Sequence, residues 1–348
     1  MTEAALQTPT DRPDRLVRGW LLLVAALVFA MALVGAATRL TDSGLSITEW
    51  QPILGAIPPL SEADWQEAFA KYKTIPEYEI VNKGMSLEAF KAIYWWEWSH
   101  RLLGRLIGVV FLLPYLALLA LGRLRGRLAW QCLGLFGLGG LQGAIGWYMV
   151  ASGLVDRVDV SQYRLALHLT VAALIYALAI WLALSVGERG GTARGERMGR
   201  FGALAIAALV LCQIAVGAFV AGLDAGMAYN TWPLMDGALV PDGLLVMSPW
   251  SANLFENALT VQFLHRGLAY VVAGTVLVHA LRLAGRMPGT PAAHSAQWLS
   301  LAVLGQIGIG IWTLLMQVPI GLGLLHQAGA LGVLGLAVLH LKRVMRPA

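Results

Sequence analysis

Four histidines stand where an ionisable ring is expensive to keep. His100, His168, His265 and His326 each lie inside a long apolar run, a few residues from one of its ends. An imidazole at such depth needs a cavity, a partner or a bound group to offset its lost hydration. Two of them facing each other from neighbouring helices suit axial ligation of an iron porphyrin, because the macrocycle supplies the other donors. A zinc or dinuclear site needs three or more protein ligands close together, and each half offers a single pair of histidines with few carboxylates. Four interhelical hydrogen bonds are the alternative reading of the same positions. Of the rest, His294 falls in a polar connecting segment, while His279 and His340 sit near the opposite helix ends and read as structural.

Glu97 precedes His100 by three residues and shares its helix face at about 5–6 Å. The matching position before His265 is Gln262, which cannot ionise. A desolvated Glu97 beside a bound substrate is suited to proton transfer; its other reading is an interfacial carboxylate in the belt of Tyr94, Trp95, Trp96 and Trp98. The asymmetry assigns chemistry to the half with Glu97 and a redox haem to the half with Gln262. Arg101 and Arg266 each follow a histidine directly. Each either meets an anion such as a haem propionate or snorkels to the headgroups. Arg105 lies one turn further in, where snorkelling is harder, and Arg39 is expected to snorkel or pair locally.

These residues must be held by membrane helices. The chain of 348 residues is 58% hydrophobic and only 13% charged, with a mean hydropathy of +0.66, whereas soluble domains carry about a quarter charged residues. About 20 apolar residues cross a bilayer core, and eight runs qualify: 19–39, 93–121, 129–151, 163–186, 201–222, 257–283, 296–316 and 321–341. The expected fold is therefore an all-α polytopic membrane protein. Arginines cluster in alternate connections (Arg123, Arg125 and Arg127; Arg189, Arg194, Arg197 and Arg200; Arg282 and Arg286; Lys342, Arg343 and Arg346), which places both termini in the cytoplasm. That placement makes the net charge of +5 a topology signal rather than a nucleic-acid surface. Residues 1–18 read as a cytoplasmic tail rather than a leader, and a bacterial inner membrane is favoured.

The halves repeat. Gly35-Ala36 leads to Asp42, Gly44 and Trp50, as Gly217-Ala218 leads to Asp224, Gly226 and Trp232 at the same offsets. His100-Arg101 follows in one half and His265-Arg266 in the other, and each half then has a Gln-containing Gly-rich helix before its second histidine. The expectation is two duplicated four-helix bundles, 19–186 with a long outer loop at 40–92, and 201–343. Glycines 134, 137, 140, 143, 305 and 308 read chiefly as close-packing positions, and Gly310 with them. Trp50, Pro52 and Pro58-Pro59 suggest an ordered loop. Cys132 and Cys212 lie in apolar runs and support neither a disulfide nor a metal site.

The run Ala37-Thr38-Arg39-Leu40-Thr41-Asp42-Ser43-Gly44-Leu45-Ser46-Ile47-Thr48-Glu49-Trp50, with Pro58-Pro59 and Glu97-Trp98-Ser99-His100-Arg101, resembles the haem A synthase family. The long first loop is similar to that of its proteobacterial and mitochondrial branch, and the resemblance extends through Gln262–Arg266 and His326-Gln327. It implies an oxidoreductase that converts the C8 methyl of haem O to a formyl by successive hydroxylations, giving haem A for terminal oxidases. On this sequence, His100, His168 and Arg101 would hold the substrate haem. Glu97 would be catalytic, and His265, His326 and Arg266 would hold a resident haem b. Partners so implied are haem O synthase, oxidase assembly factors, an electron donor and lipid, with homo-oligomers allowed. Family members with paired loop cysteines differ from this chain, which leaves its electron donor open. A di-haem b electron-transfer subunit is the alternative, and a transporter built on the repeat is a third class.

Overall fold

The computed structural model describes residues 14–51, 53–154, 158–187 and 197–345. Residues 1–13 of the expected tail, Pro52, Arg189, Arg194 and Arg346 lie outside the described residues. The chain runs α1 (Arg15–Leu40), α2 (Glu62–Tyr72), α3 (Pro76–Ile80), α4 (Leu87–Ala120), α5 (Gly126–Ala151), α6 (Gln162–Ser185), α7 (Arg197–Gly222), α8 (Ala225–Ala228), α9 (Ala258–Arg286), α10 (Pro291–Leu315) and α11 (Ile320–Met345). Among the described residues, eight of these are long and apolar enough to cross a membrane, all but α2, α3 and α8. This is a multi-pass α-helical membrane protein.

Several helices outrun the apolar runs that announced them. The fourth begins at Leu87 because the Ser86 hydroxyl accepts the Ala89 N–H, and α10 begins at Pro291 behind the Thr290 cap. Hydropathy marks where lipid begins, whereas a cap marks where the helix begins, and here the helices continue into water.

Helices α1, α6, α7 and α11 pack on one another at the centre. Helices α4 and α5 flank them on one side and α9 and α10 on the other. Leu21, Ala173, Ala179, Ile206, Leu331 and Leu334 belong to a single apolar cluster that runs through both halves. The glycine-rich stretches differ from expectation. A methyl group added at Gly134, Gly137, Gly140, Gly143, Gly305 or Gly308 would meet open space, so these are not points of close helix approach.

The long first loop has a core of its own. Trp65, Phe69 and Tyr72 of α2 pack on Phe90 and Tyr94 of the protruding start of α4, with the Phe69 and Phe90 rings stacked 4.9 Å apart. Trp50 remains half exposed, so its burial is not what orders the loop. Glu77 on α3 is buried, with Oε2 lacking a hydrogen-bond partner. Desolvation, helped by the negative charges of Glu97, Asp42 and Asp159, pushes its carboxyl up to about 8, against a hydrogen bond from Tyr72.

A raised carboxyl makes the folded loop bind a proton that the unfolded chain releases near 4.5. Its stabilisation is complete below that value and is lost as pH rises through about 8. Thermal unfolding followed between about pH 5 and 9 should therefore fall with pH, and Glu77→Gln should flatten the slope and be the more stable form at the alkaline end. Parallel curves for the two proteins would contradict this.

Candidate functional site

Each of the four histidines stands against a glycine of a neighbouring helix. A Cβ on Gly35 of α1 would lie 3.0 Å from His100 Nε2, and one on Gly146 of α5 3.0 Å from His168 Cε1. In the other half, one on Gly217 of α7 would lie 3.0 Å from His265 Cε1, and one on Gly310 of α10 2.8 Å from His326 Cε1. Any larger residue would push the ring out of place, so the glycine is the seat of the imidazole. All four histidines are only partly buried. His265 and His326 face each other with ring centroids 6.4 Å apart and planes at 73°. In the N-terminal half His100 lies within electrostatic range of His168.

Three of the rings have a second support. The amide Nε2 of Gln142, Gln213 and Gln306 donates to the backbone carbonyl of His168, His265 and His326, at 2.9, 3.0 and 2.8 Å. The same nitrogen stands 3.1 Å from Nδ1 of each ring. Each glutamine precedes its seat glycine by four residues, which puts both on one face of the helix. The first helix carries Met31 at that place, so His100 is the one histidine of the four without a glutamine behind it.

The polar residues around the histidines hold the loops. Arg101 donates from Nε and Nη2 to Glu97 Oε1 at 3.0 and 2.6 Å, and to the carbonyls of Ile47 at 2.7 Å and Glu49 at 2.8 Å. The other carboxylate oxygen, Oε2, accepts the Ser46 hydroxyl and the Ile47 N–H, both at 2.7 Å. Arg266 repeats the arrangement with Gln262 Oε1 at 2.6 Å and the carbonyls of Tyr229 and Thr231, each at 2.9 Å. The polarity of the second clasp is reversed, because Gln262 Nε2 donates to the Ala225 carbonyl. Both arginines, read from sequence as anion contacts or snorkelling groups, are thus tied to loop backbone. Arg39 pairs with Asp42 at 3.1 Å and with Asp224 at 3.0 Å, joining the loops of the two halves.

Haem fits this donor set. Among the described residues no group of three or more His, Cys, Asp or Glu is placed to hold a metal ion, and His265 and His326 form a facing pair. His265 and His326 would hold a haem through their ring nitrogens, and the macrocycle would supply the iron's other donors. The buried Oε1 of Gln142, Gln213 and Gln306 has no partner. Standing beside Nδ1, each glutamine bears on which ring nitrogen carries the proton and so on whether Nε2 is available to a metal. Arg266 Nε is likewise buried without an acceptor.

Residues 18–338 match the model of the COX15-CtaA family, described as cytochrome oxidase assembly protein. The chain belongs to this family. It is 57% identical to a "Heme A synthase" of Chelativorans sp. over 96% of its length and 92% of the relative's. It is 56% identical to one from Azorhizobium caulinodans, covering 94% of both chains, and 53% identical to one from Agrobacterium fabrum, covering 98% and 93%. The family implies that haem is involved.

Sequence reasoning passed over several residues of this COX15-CtaA chain. The Gln-x-x-x-Gly spacing was the available signal for Gln213-Gly217, and its absence for Met31-Gly35. His279 and His340, read from sequence as structural, are hydrogen-bonded Nε2 to Nε2 at 2.9 Å, and His340 Nδ1 meets Ser295 Oγ at 2.9 Å. They follow His265 and His326 by fourteen residues, which returns each to nearly the same helix face about 21 Å lower.

The clasp makes Glu97→Gln a poor isostere. An amide has one acceptor oxygen, so its NH2 must face either Arg101 or the Ile47 N–H. Leaving those buried donors unpaired should cost about 1–3 kcal/mol. Limited proteolysis of the first loop, with thermal unfolding, measures it; a loop as resistant as that of the parent protein is the contrary result.

Proposed function

We infer that this chain is a haem A synthase, an oxidoreductase that converts the C8 methyl of haem O to the formyl of haem A. The observation that carries the reading is the facing pair His265 and His326, seated on Gly217 and Gly310, in a chain of the COX15-CtaA family. His265 and His326 would hold haem b, which when bound supplies a one-electron relay. Gln213 and Gln306 fix the orientation of those rings, and Arg266 contributes a buried donor for a propionate.

The N-terminal half, residues 19–186, takes haem O. His100 and His168 would bracket it, with Arg101 shaping the rim through its bonds to Ile47 and Glu49. His100, without a glutamine brace, is the ring best able to yield when one haem leaves and another enters. Glu97 is the carboxylate nearest His100 along the helix, and Ser46, Ile47 and Arg101 hold it in one position. Its role is to take up or release a proton beside the reacting methyl. The two halves, 19–186 and 201–343, carry the marks of a duplication whose copies have divided substrate and relay between them. Both termini lie in the cytoplasm of a cell with the chain in its inner membrane, on the side of Arg123, Arg125 and Arg127. Haem O arrives from the enzyme that makes it.

Purified protein supplied with haem O and a reductant in air should yield haem A on acid extraction. Recovery of haem O alone would reject the synthase reading in favour of a di-haem electron-transfer protein. His265→Ala and His326→Ala should each abolish the low-spin haem b absorption bands of the purified protein. Bands that persist in both variants would reverse the assignment of the halves.

A further inference from the structure

The first loop contains an uncharged apolar stretch, Ile53-Leu54-Gly55-Ala56-Ile57-Pro58-Pro59-Leu60. Ile53 is 82% exposed, Leu54 72%, Ile57 63% and Leu60 79%. Four large apolar side chains this exposed within eight residues would be a liability in water. Their surroundings are set by where the stretch touches α4. Arg105 donates to the Gln51 carbonyl at 2.9 Å, and a Cβ on Gly55 would lie 2.9 Å from the same guanidinium. The stretch is therefore fastened to a residue one and a half turns beyond His100.

The depth of that residue follows from helix length. At 34 residues, α4 is about 51 Å long, well beyond a bilayer core of about 30 Å. Counting about 20 residues back from its far end, where Gly122 and Arg123 begin the next turn, brings the edge of the core near Arg101. Trp95 and Trp96, each 42% exposed, stand just outside that edge as an aromatic belt. Arg105 is rooted about a turn inside it, and its side chain reaches back toward the loop side. The peptide it holds is at the level of the interface, and further along α4 an exposed stripe is made by Leu106, Val109, Leu113 and Leu116.

The backbone is prepared for such a place. Gly55 N–H bonds to the Gln51 carbonyl, Ala56 N–H to Ile53 and Ile57 N–H to Leu54, each at 3.1 Å, so the tip closes its own hydrogen bonds as a 3-10 turn. Non-helical chain can enter lipid only when its polar groups are satisfied in this way. The second half fastens its loop at the equivalent depth, where Trp232 Nε1 donates to the hydroxyl of Tyr270, five residues beyond His265.

We propose that residues 53–60 are an interfacial membrane anchor, with Ile53, Leu54, Ile57 and Leu60 inserted into the acyl boundary of the leaflet on the long-loop side. The occupant of this surface is lipid, because the stretch lies at interfacial depth, is fastened to a membrane-spanning helix and has no charge. The inference depends on the membrane architecture and not on the haem assignment, so the two fail separately.

Nitroxide labels test it in the full-length protein reconstituted into vesicles of phosphatidylethanolamine and phosphatidylglycerol. In a Cys212→Ala background, labels at Leu54→Cys and Ile57→Cys are compared with Leu113→Cys as the lipid reference and Gln66→Cys as the water reference. The two loop labels should collide with oxygen several-fold more, relative to a water-soluble nickel chelate, than the label at residue 66, and should approach the label at 113. Collision ratios matching residue 66 would overturn the proposal. So would labels shielded from both reagents, which would mean a protein partner, such as a second copy, covers the stretch.

Discussion

An imidazole on a membrane helix needs a space the width of its ring, and in this chain the space is made by a glycine on the helix opposite. The relation recurs four times, as Gly35 with His100, Gly146 with His168, Gly217 with His265 and Gly310 with His326. It couples the positions of α1 with α4, α5 with α6, α7 with α9 and α10 with α11. Helix pairing and the geometry of the candidate site are thus one constraint. Dense packing elsewhere, through the shared centre of α1, α6, α7 and α11, keeps these pairs from sliding.

The loops are secured by the same helices that carry the histidines. Arg101 and Arg266, each next to a histidine, hold the returning chain by its carbonyls, a grip that does not depend on the loop side chains. Charged donors and backbone acceptors form the stronger class of hydrogen bond. With Glu97 and Gln262 at the base of each clasp, both outer loops are positioned by residues that sequence alone presents as reactive or membrane-solvated.

Most of the architecture was legible in the sequence because lipid imposes a length and a polarity on every span. The eight helices, the paired histidines and the odd position of Glu97 follow from that rule together with simple spacing. What was not legible depended on direction. The contacts of Arg101 with Ile47 and Glu49 join positions more than fifty residues apart, and no periodicity reports them. The glycines divided in a way composition could not foresee: Gly146 and Gly310 seat rings, while neighbours such as Gly143 and Gly308 on the same helices face open space. The helix ends extended past the hydropathic spans because capping by Ser86 and Thr290 answers to water, not to lipid.

The reversed polarity of the two clasps bears on how freely the halves could ever trade parts. In one, a carboxylate receives a backbone N–H from Ile47; in the other, an amide gives a hydrogen to the Ala225 carbonyl. Grafting the Glu97 segment into the second half would set acceptor against acceptor, and the opposite graft would set donor against donor.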